Sequence, residues 1–294
     1  VIRRLVRLFA PLCLSLLAGS ALAASTGLFL WEAERGGQKV ALLGSIHLGR
    51  AEFYPLPAPI EAAYRRAGTI AVEADIGDPA ALVPLLPMLM LPAGETLETR
   101  LAAPQRRRLD AALARTGLAA PAALRMKPWF LAMTLSAMEM QKLGFDPQYG
   151  IDLHYLGRAR KDGKQVVELE SVRSQFELLD GLGAEEQLAF LDTTADSIAN
   201  GQMRSELDAM VAAWQSGDAA TLRRQVDDGL GDGPAMRRVA VALFDARNRA
   251  MAERIAALAG PVPPLVIVGA GHLAGPGSIV ELLKSRGFRV TQKR

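Results

Sequence analysis

Cysteine is almost missing from these 294 residues: there is one, Cys13, and histidine is scarce as well, with three. Cys13 falls in a segment read below as removable, so the rest of the chain carries no thiol. Disulfides, cysteine metal sites and a thiol nucleophile are thereby excluded, and any metal must be held by His, Asp and Glu. Unbalanced charge is missing too. The formal net charge of +3 comes from 34 basic and 31 acidic residues, and Arg3, Arg4 and Arg7 account for the excess. Without the first 23 residues, 31 basic residues face 31 acidic ones. Nothing then points to a nucleic-acid partner, which calls for a clustered basic face. No low-complexity linker and no repeat period interrupts the chain.

The first 23 residues have a basic start, an apolar middle from Leu8 to Ala18, and the small-residue pattern Ala21-Leu22-Ala23. That is the layout of a secretory signal peptide, with cleavage expected after Ala23. The rival reading is an uncleaved membrane anchor, because no charge appears between Leu8 and Trp31. Against it, the apolar part is shorter than the ~20 residues a spanning helix needs, and Pro11 and Gly19 break it. Cleavage implies a secreted or periplasmic protein; retention implies one associated with a membrane through its N-terminus.

Runs rich in Val, Ile and Leu predict strands at 27–33, 39–45, 69–75, 165–170, 264–270 and 288–292. The first two, joined by "ERGGQ", read as a hairpin. "TIAVE" and "PLVIVG" are nearly continuous apolar runs, as expected of strands covered on both faces. Between them lie helical patterns: a crossover at 56–67, then "PAALVPLLPMLML", "APQRRRLDAALARTG", "KPWFLAMTLSAMEMQKLG" and "GIDLHYLGRARKDG". Further helices are expected at 173–182, 185–201 and 203–218, and a last long one from about 234 to 259. The fold class is α/β: a central mixed, largely parallel sheet built from both chain ends. Helical insertions at about 76–164 and 173–260 interrupt it within one domain, 24–294.

Polar residues fall at the carboxyl ends of these strands, where open α/β sheets bind ligands. "VALLGSIH" and "LVIVGAGH" end alike: a β run, Gly, two small or apolar residues, then His. The pairs are Gly44 with His47 and Gly269 with His272, and the glycine is expected to make a sharp turn. "TIAVEAD" offers Glu73, costly to bury without a partner. "QVVELE" offers Glu168 and Glu170, one expected in a site and the other solvated. Two imidazoles and a carboxylate from neighbouring strand ends suit a divalent metal. Bland readings stand beside these. A lone G-x-x-H is usually a hydrogen-bonded surface histidine, and Glu73 could be a structural partner for an Arg. His154 sits mid-helix and reads as packing, Asp152 equally as a helix cap or a site residue, and the Met-rich "FLAMTLSAMEM" as core.

With these motifs in place, "LLGSIHLG", "VEAD" and "VIVGAGHLAG" resemble the TraB/GumN family, which is related to the Tiki metalloproteases, to PrgY, and more distantly to erythromycin esterase and ChaN-like proteins. "KPW" (127–129), "GID" (150–152), "LESVRSQ" (169–175), "WQSGD" (214–218) and "ARNRAMAERI" (246–255) extend the resemblance over nearly all of the chain after residue 23. The resemblance implies a site of His47, His272 and Glu73, with Glu170, Arg247 and Asn248 as further candidates. It implies a metal-dependent hydrolase acting on a peptide or small molecule, with Mn, Co or Zn bound by His47 and His272, and Glu73 as a further ligand or as the general base. Arg247 or Lys127 would then stabilise an oxyanion. Two alternatives remain open: a metal-free esterase-like hydrolase using a histidine base, and a non-catalytic binder of peptide, haem or iron.

Overall fold

The computed structural model describes residues 27–75, 77 and 79–294, with the backbone alone at 79–81. The expected export segment lies outside the described residues. No described helix is long and apolar enough to cross a membrane.

Six strands form one sheet: β1 (Leu30–Arg35), β2 (Gln38–Ser45), β3 (Thr69–Val72), β4 (Gln165–Glu168), β5 (Leu265–Gly269) and β6 (Arg289–Gln292). Their order is β4-β3-β5-β2-β1-β6. β1 is antiparallel to β2 and β6, whereas β2, β5, β3 and β4 run parallel. The sheet is mixed and built from both chain ends, as expected. β5, from the end of the chain, lies between β2 and β3, with Ser45 opposite Gly269 and Val72 opposite Ile267. That insertion places the ends of "VALLGSIH", "TIAVE" and "LVIVGAGH" side by side. β5 is buried throughout, and so is β2 from Val40 onward.

Helix α1 (Ala58–Arg66) is the crossover from β2 to β3. The first insertion holds α2 (Ala103–Thr116), α3 (Ala120–Ala123), α4 (Pro128–Lys142) and α5 (Ile151–Lys161). α4 begins on Pro128, whose missing N–H costs nothing at that position. The second holds α6 (Val172–Asp180), α7 (Ala184–Asn200), α8 (Gln202–Gln215), α9 (Ala219–Leu230), α10 (Pro234–Ala240) and α11 (Ala246–Leu258); α12 (Ile279–Ser285) follows β5. An apolar cluster lines the sheet, and a second joins α2, α3, α4 and α7, with Met203 packed against both.

Two expectations about helices are corrected. "PAALVPLLPMLML" is not an α-helix: residues Pro79–Met88 form 3₁₀ turns, because Pro84 and Pro87 lack the N–H groups an α-helix needs. The long helix expected from 234 does run to Leu258, with one π turn inside it at Val241–Asp245. α9 was not anticipated, although Asp218 of "WQSGD" caps it by accepting from the Thr221 N–H at 2.9 Å.

Candidate functional site

The site gathers at the carboxyl ends of β2, β5, β3 and β4. Glu73 directly follows β3, and its backbone carbonyl accepts the Glu170 N–H at 2.6 Å, which fixes the two acidic loops together. β4 stops at Glu168 rather than running to 170. Glu168 turns outward and accepts the Asp75 N–H at 2.7 Å, while Glu170 turns inward. Of this pair, one does belong to the cluster and the other is exposed.

Arg247, on α11, clamps the two inward carboxylates. Its Nη2 donates to Glu73 Oε2 at 2.8 Å and to Glu170 Oε2 at 2.7 Å, and its Nε donates to both Glu170 oxygens at 3.0 Å. Gln175 Nε2 adds bonds to Glu73 Oε2 at 3.3 Å and Glu170 Oε2 at 3.1 Å. The remaining Glu73 oxygen, Oε1, accepts the Gly269 N–H at 2.5 Å. Burial opposes ionisation of Glu73, but His272, His47, Arg247 and this N–H outweigh it and hold the carboxyl down at about 2.

The two histidines are held by different partners. His272 is buried, and its Nδ1 meets Asn248 Oδ1 at 2.6 Å. Asn248 Nδ2 donates to the Gly277 carbonyl at 2.9 Å, so its oxygen is the acceptor and His272 Nδ1 carries the proton. Nε2 is then a bare lone pair, 3.6 Å from Glu73 Oε1. Burial, partly offset by Glu73, pushes His272 down to about 4, so at neutral pH the ring is uncharged. His47 is half exposed, with 51% of its side chain accessible, and its Nδ1 meets Asp152 Oδ2 at 2.9 Å. The Asp152 carboxylate, against partial desolvation, pushes His47 up to about 9.

From the sequence, Asp152 reads equally as a cap of α5 or as a residue of the site. It does not cap that helix; its Oδ1 accepts the Ser45 hydroxyl at 2.8 Å and its Oδ2 holds His47. The contact depends on two loops lying almost against each other. A Cβ on Gly150 would lie 2.1 Å from the His47 carbonyl oxygen, so only glycine permits the approach. Ser45 and Gln175 also went unanticipated. The third histidine, His154, packs on Tyr54 at 4.6 Å between ring centres, in line with the packing role expected of it.

Neither motif glycine adopts a left-handed conformation, so the expected turn is not the reason for glycine there. Close approach is. A Cβ on Gly44 would lie 2.5 Å from Phe29 Cδ1, and one on Gly269 would lie 3.2 Å from Glu73 Oε1, 3.3 Å from His47 Nε2 and 3.6 Å from His272 Cδ2. The three motif residues therefore converge on the space above Gly269. As the side chains stand, no group of three or more His, Cys, Asp or Glu among the described residues is assembled to hold a metal ion. The donors nonetheless fit one in kind: two imidazoles whose Nδ1 atoms are engaged, with Nε2 bare in His272 and freed in His47 once that ring loses its proton, beside one carboxylate.

A cavity of about 400 Å³ opens over this cluster, with His47, Glu73, Asp152, Gln175 and Arg247 on its polar side. A separate cavity of about 440 Å³ contains Lys127, whose Nζ is paired with Asp180 at 2.6 Å. Lys127 is thus placed away from the cluster and is not available to an oxyanion there.

The sequence model of the TraB/PrgY/gumN family matches residues 29–292. The chain belongs to this family. It is 31% identical over 259 residues to the protein YbaP of Escherichia coli (strain K12), covering 85% of this chain and 89% of YbaP, and equally similar to YbaP of Shigella flexneri. It is 23% identical over 311 residues to Metalloprotease TIKI2 of Danio rerio, covering 89% of this chain but 60% of TIKI2. No solved structure matches the chain significantly. Within this family member, Glu73, Glu170, Arg247, His272 and Asn248 form one connected set of contacts, and His47, held by Asp152, stands beside it.

Proposed function

We propose that this protein is a metal-dependent hydrolase of the peptidase type, working outside the cytoplasm after export on its N-terminal segment. The observation that carries the reading is the convergence of His47 Nε2, Glu73 Oε1 and His272 on the space above Gly269. The relation to a metalloprotease supports it. A divalent ion, Mn, Co or Zn, held by the two Nε2 atoms and Glu73 would supply a polarised carbonyl and a water of lowered pKa. Asp152 and Asn248 fix the two rings by their Nδ1 atoms, which fixes the direction of each Nε2. Glu73, held near 2, is a permanent anion; that suits a ligand better than a base, which works best with a pKa near the operating pH. Arg247 keeps Glu73 and Glu170 from repelling each other.

Metal analysis of the purified protein and cleavage assays with Mn²⁺, Co²⁺ or Zn²⁺, for wild type and His47→Ala, test this. Bound metal and cleavage lost on chelation and in His47→Ala are expected; a protein that binds none of the three ions and cleaves nothing in their presence removes the proposal.

A second reading rests on one specific contact, the His47–Asp152 pair beside the cavity. Asp152 would orient His47 so that Nε2 takes a proton from an attacking water without a metal. Chelation separates the two readings, since activity by this second route survives it.

A further inference from the structure

The cavity over the cluster is polar on one side only. Besides the charged groups its lining is made of Leu48, Met133, Leu178, Leu179, Phe190 and Leu243. These come from the loop after β2, from α4, α6 and α7, and from the π turn: His47 and Glu73 stand at strand ends, while most of the apolar lining is supplied by the insertions. That wall is held in place. Lys127 Nζ and Trp129 Nε1 both donate to Asp180 Oδ1, at 2.6 and 3.1 Å, pinning the end of α6 that bears Leu178 and Leu179. Trp129 also packs edge-on against Phe176 at 5.5 Å.

The charged groups on the polar side are already matched to one another. Arg247 gives Nε and Nη2 to the two glutamates and Nη1 to the Leu243 carbonyl, while Asp152 is taken by Ser45 and His47. Apart from His47 Nε2, which the hydrolase reading gives to the metal, a charged substrate side chain would meet paired groups here and would lose its water against the apolar wall. An apolar one would gain by burial. Met133 stands at the mouth with 42% of its surface exposed, and its thioether can adjust to differing shapes.

On the hydrolase reading above, we propose that the substrate carries a bulky apolar side chain, such as Leu, Met or Phe, on the residue that supplies the scissile carbonyl, and that Met133, Phe190 and Leu243 select it. In the reaction water adds to that carbonyl carbon, the C–N bond breaks, and the water's proton leaves on the amine.

The experiment uses the full chain with Mn²⁺ and a series of N-acetyl-X-p-nitroanilides, X being Leu, Met, Phe, Gly, Asp or Lys. Binding of the matching N-acetyl-X-amides is measured in parallel by calorimetry. Leu, Met and Phe should exceed Gly, Asp and Lys by roughly 10- to 100-fold in kcat/KM, the range a hydrophobic pocket provides. Met133→Glu, at the surface, should shrink the Leu-to-Lys ratio about 10-fold, and Phe190→Ala the Leu-to-Asp ratio by a similar factor. Equal or reversed preference among cleaved substrates overturns the pocket assignment and leaves the hydrolase standing. If no anilide is cleaved, tighter binding of the Leu amide than the Asp amide retains the pocket and removes the hydrolase; equal binding, or none, overturns the pocket.

Discussion

Arg247 is the residue whose loss the structure prices most directly. Its side chain is 14% exposed, and those of Glu73 and Glu170 are 8% and 12% exposed. Both carboxylates bond to the same Nη2, at 2.8 and 2.7 Å, so Arg247→Met leaves two buried anions facing each other. Gln175 and the Gly269 N–H stay, but neither carries charge. Two unit charges about 5 Å apart repel by about 3 kcal/mol at an effective dielectric constant near 20, and breaking a buried pair from one side costs about 3–5 kcal/mol. Urea unfolding at pH 7.5, followed by tryptophan fluorescence, should therefore show a loss of about 3–5 kcal/mol in Arg247→Met. Adding Glu170→Gln removes one anion and should recover part of that loss. The gap between wild type and the single variant should also narrow toward pH 5, as one of the freed carboxylates takes up a proton. A cost below about 1 kcal/mol, or a double variant no more stable than the single, would refute the clamp.

His272 gives an acid-sensitivity test. Its folded value of about 4 lies below the ordinary 6.5, so it contributes stability fully present above pH 6.5 and lost as pH falls toward 4. The loss is about 3 kcal/mol at ~1.4 kcal/mol per pKa unit, and His272→Gln should flatten the urea midpoint across that window; an unchanged slope there counts against a buried neutral ring. The motif glycines should part company. Gly269 has ordinary angles, φ −49° and ψ 134°, so Gly269→Ala should change stability by no more than about 1 kcal/mol, yet lower kcat/KM by roughly 10- to 100-fold by displacing His47 and Glu73. Gly44→Ala forces a Cβ against Phe29 and should cost about 1–3 kcal/mol in unfolding assays; the reverse pattern would show that the space above Gly269 is not the working part of the site.

How much of this was legible in the sequence depended on the range of the interaction. The hairpin, the buried strands and the two delivered histidines follow from local pattern: an apolar run, a glycine and a polar residue close behind. Pairing of those strand ends needed only the rule that ligands sit at the carboxyl ends of a parallel sheet. Glu170 lies inside the cluster and Glu168 outside it, a division made past the end of β4, which stops at Glu168. What stayed hidden is long-range. Asp152 is 105 positions from His47, and nothing local separates a carboxylate that caps a helix from one in the same first turn that reaches across to another loop. Pro84 and Pro87 did carry a local signal against an α-helix, and the apolar spacing around them obscured it.

The repeated motif also conceals a difference that matters for mechanism. His47 and His272 arrive by the same grammar, yet one rests on a carboxylate and the other on an amide. An anion beside Nδ1 stabilises the charged ring, whereas an amide in a buried setting does not. His272 is consequently a neutral lone-pair donor throughout the physiological range, and His47, raised to about 9, must shed a proton before its Nε2 can bind a metal or accept a proton from water. Both functional readings need the neutral ring, so activity should climb as pH rises toward about 9. Asp152→Asn removes the anion, which should bring the His47 titration, followed by NMR of the imidazole carbons, down toward the ordinary 6.5 and move the rising limb of the activity profile with it. Because His47 is half exposed, the shift reports the pairing and not a large part of folding stability. A His47 titration that ignores Asp152→Asn would mean that the carboxylate merely touches the ring; one that moves while the activity profile stays fixed would mean that His47 does not gate the chemistry.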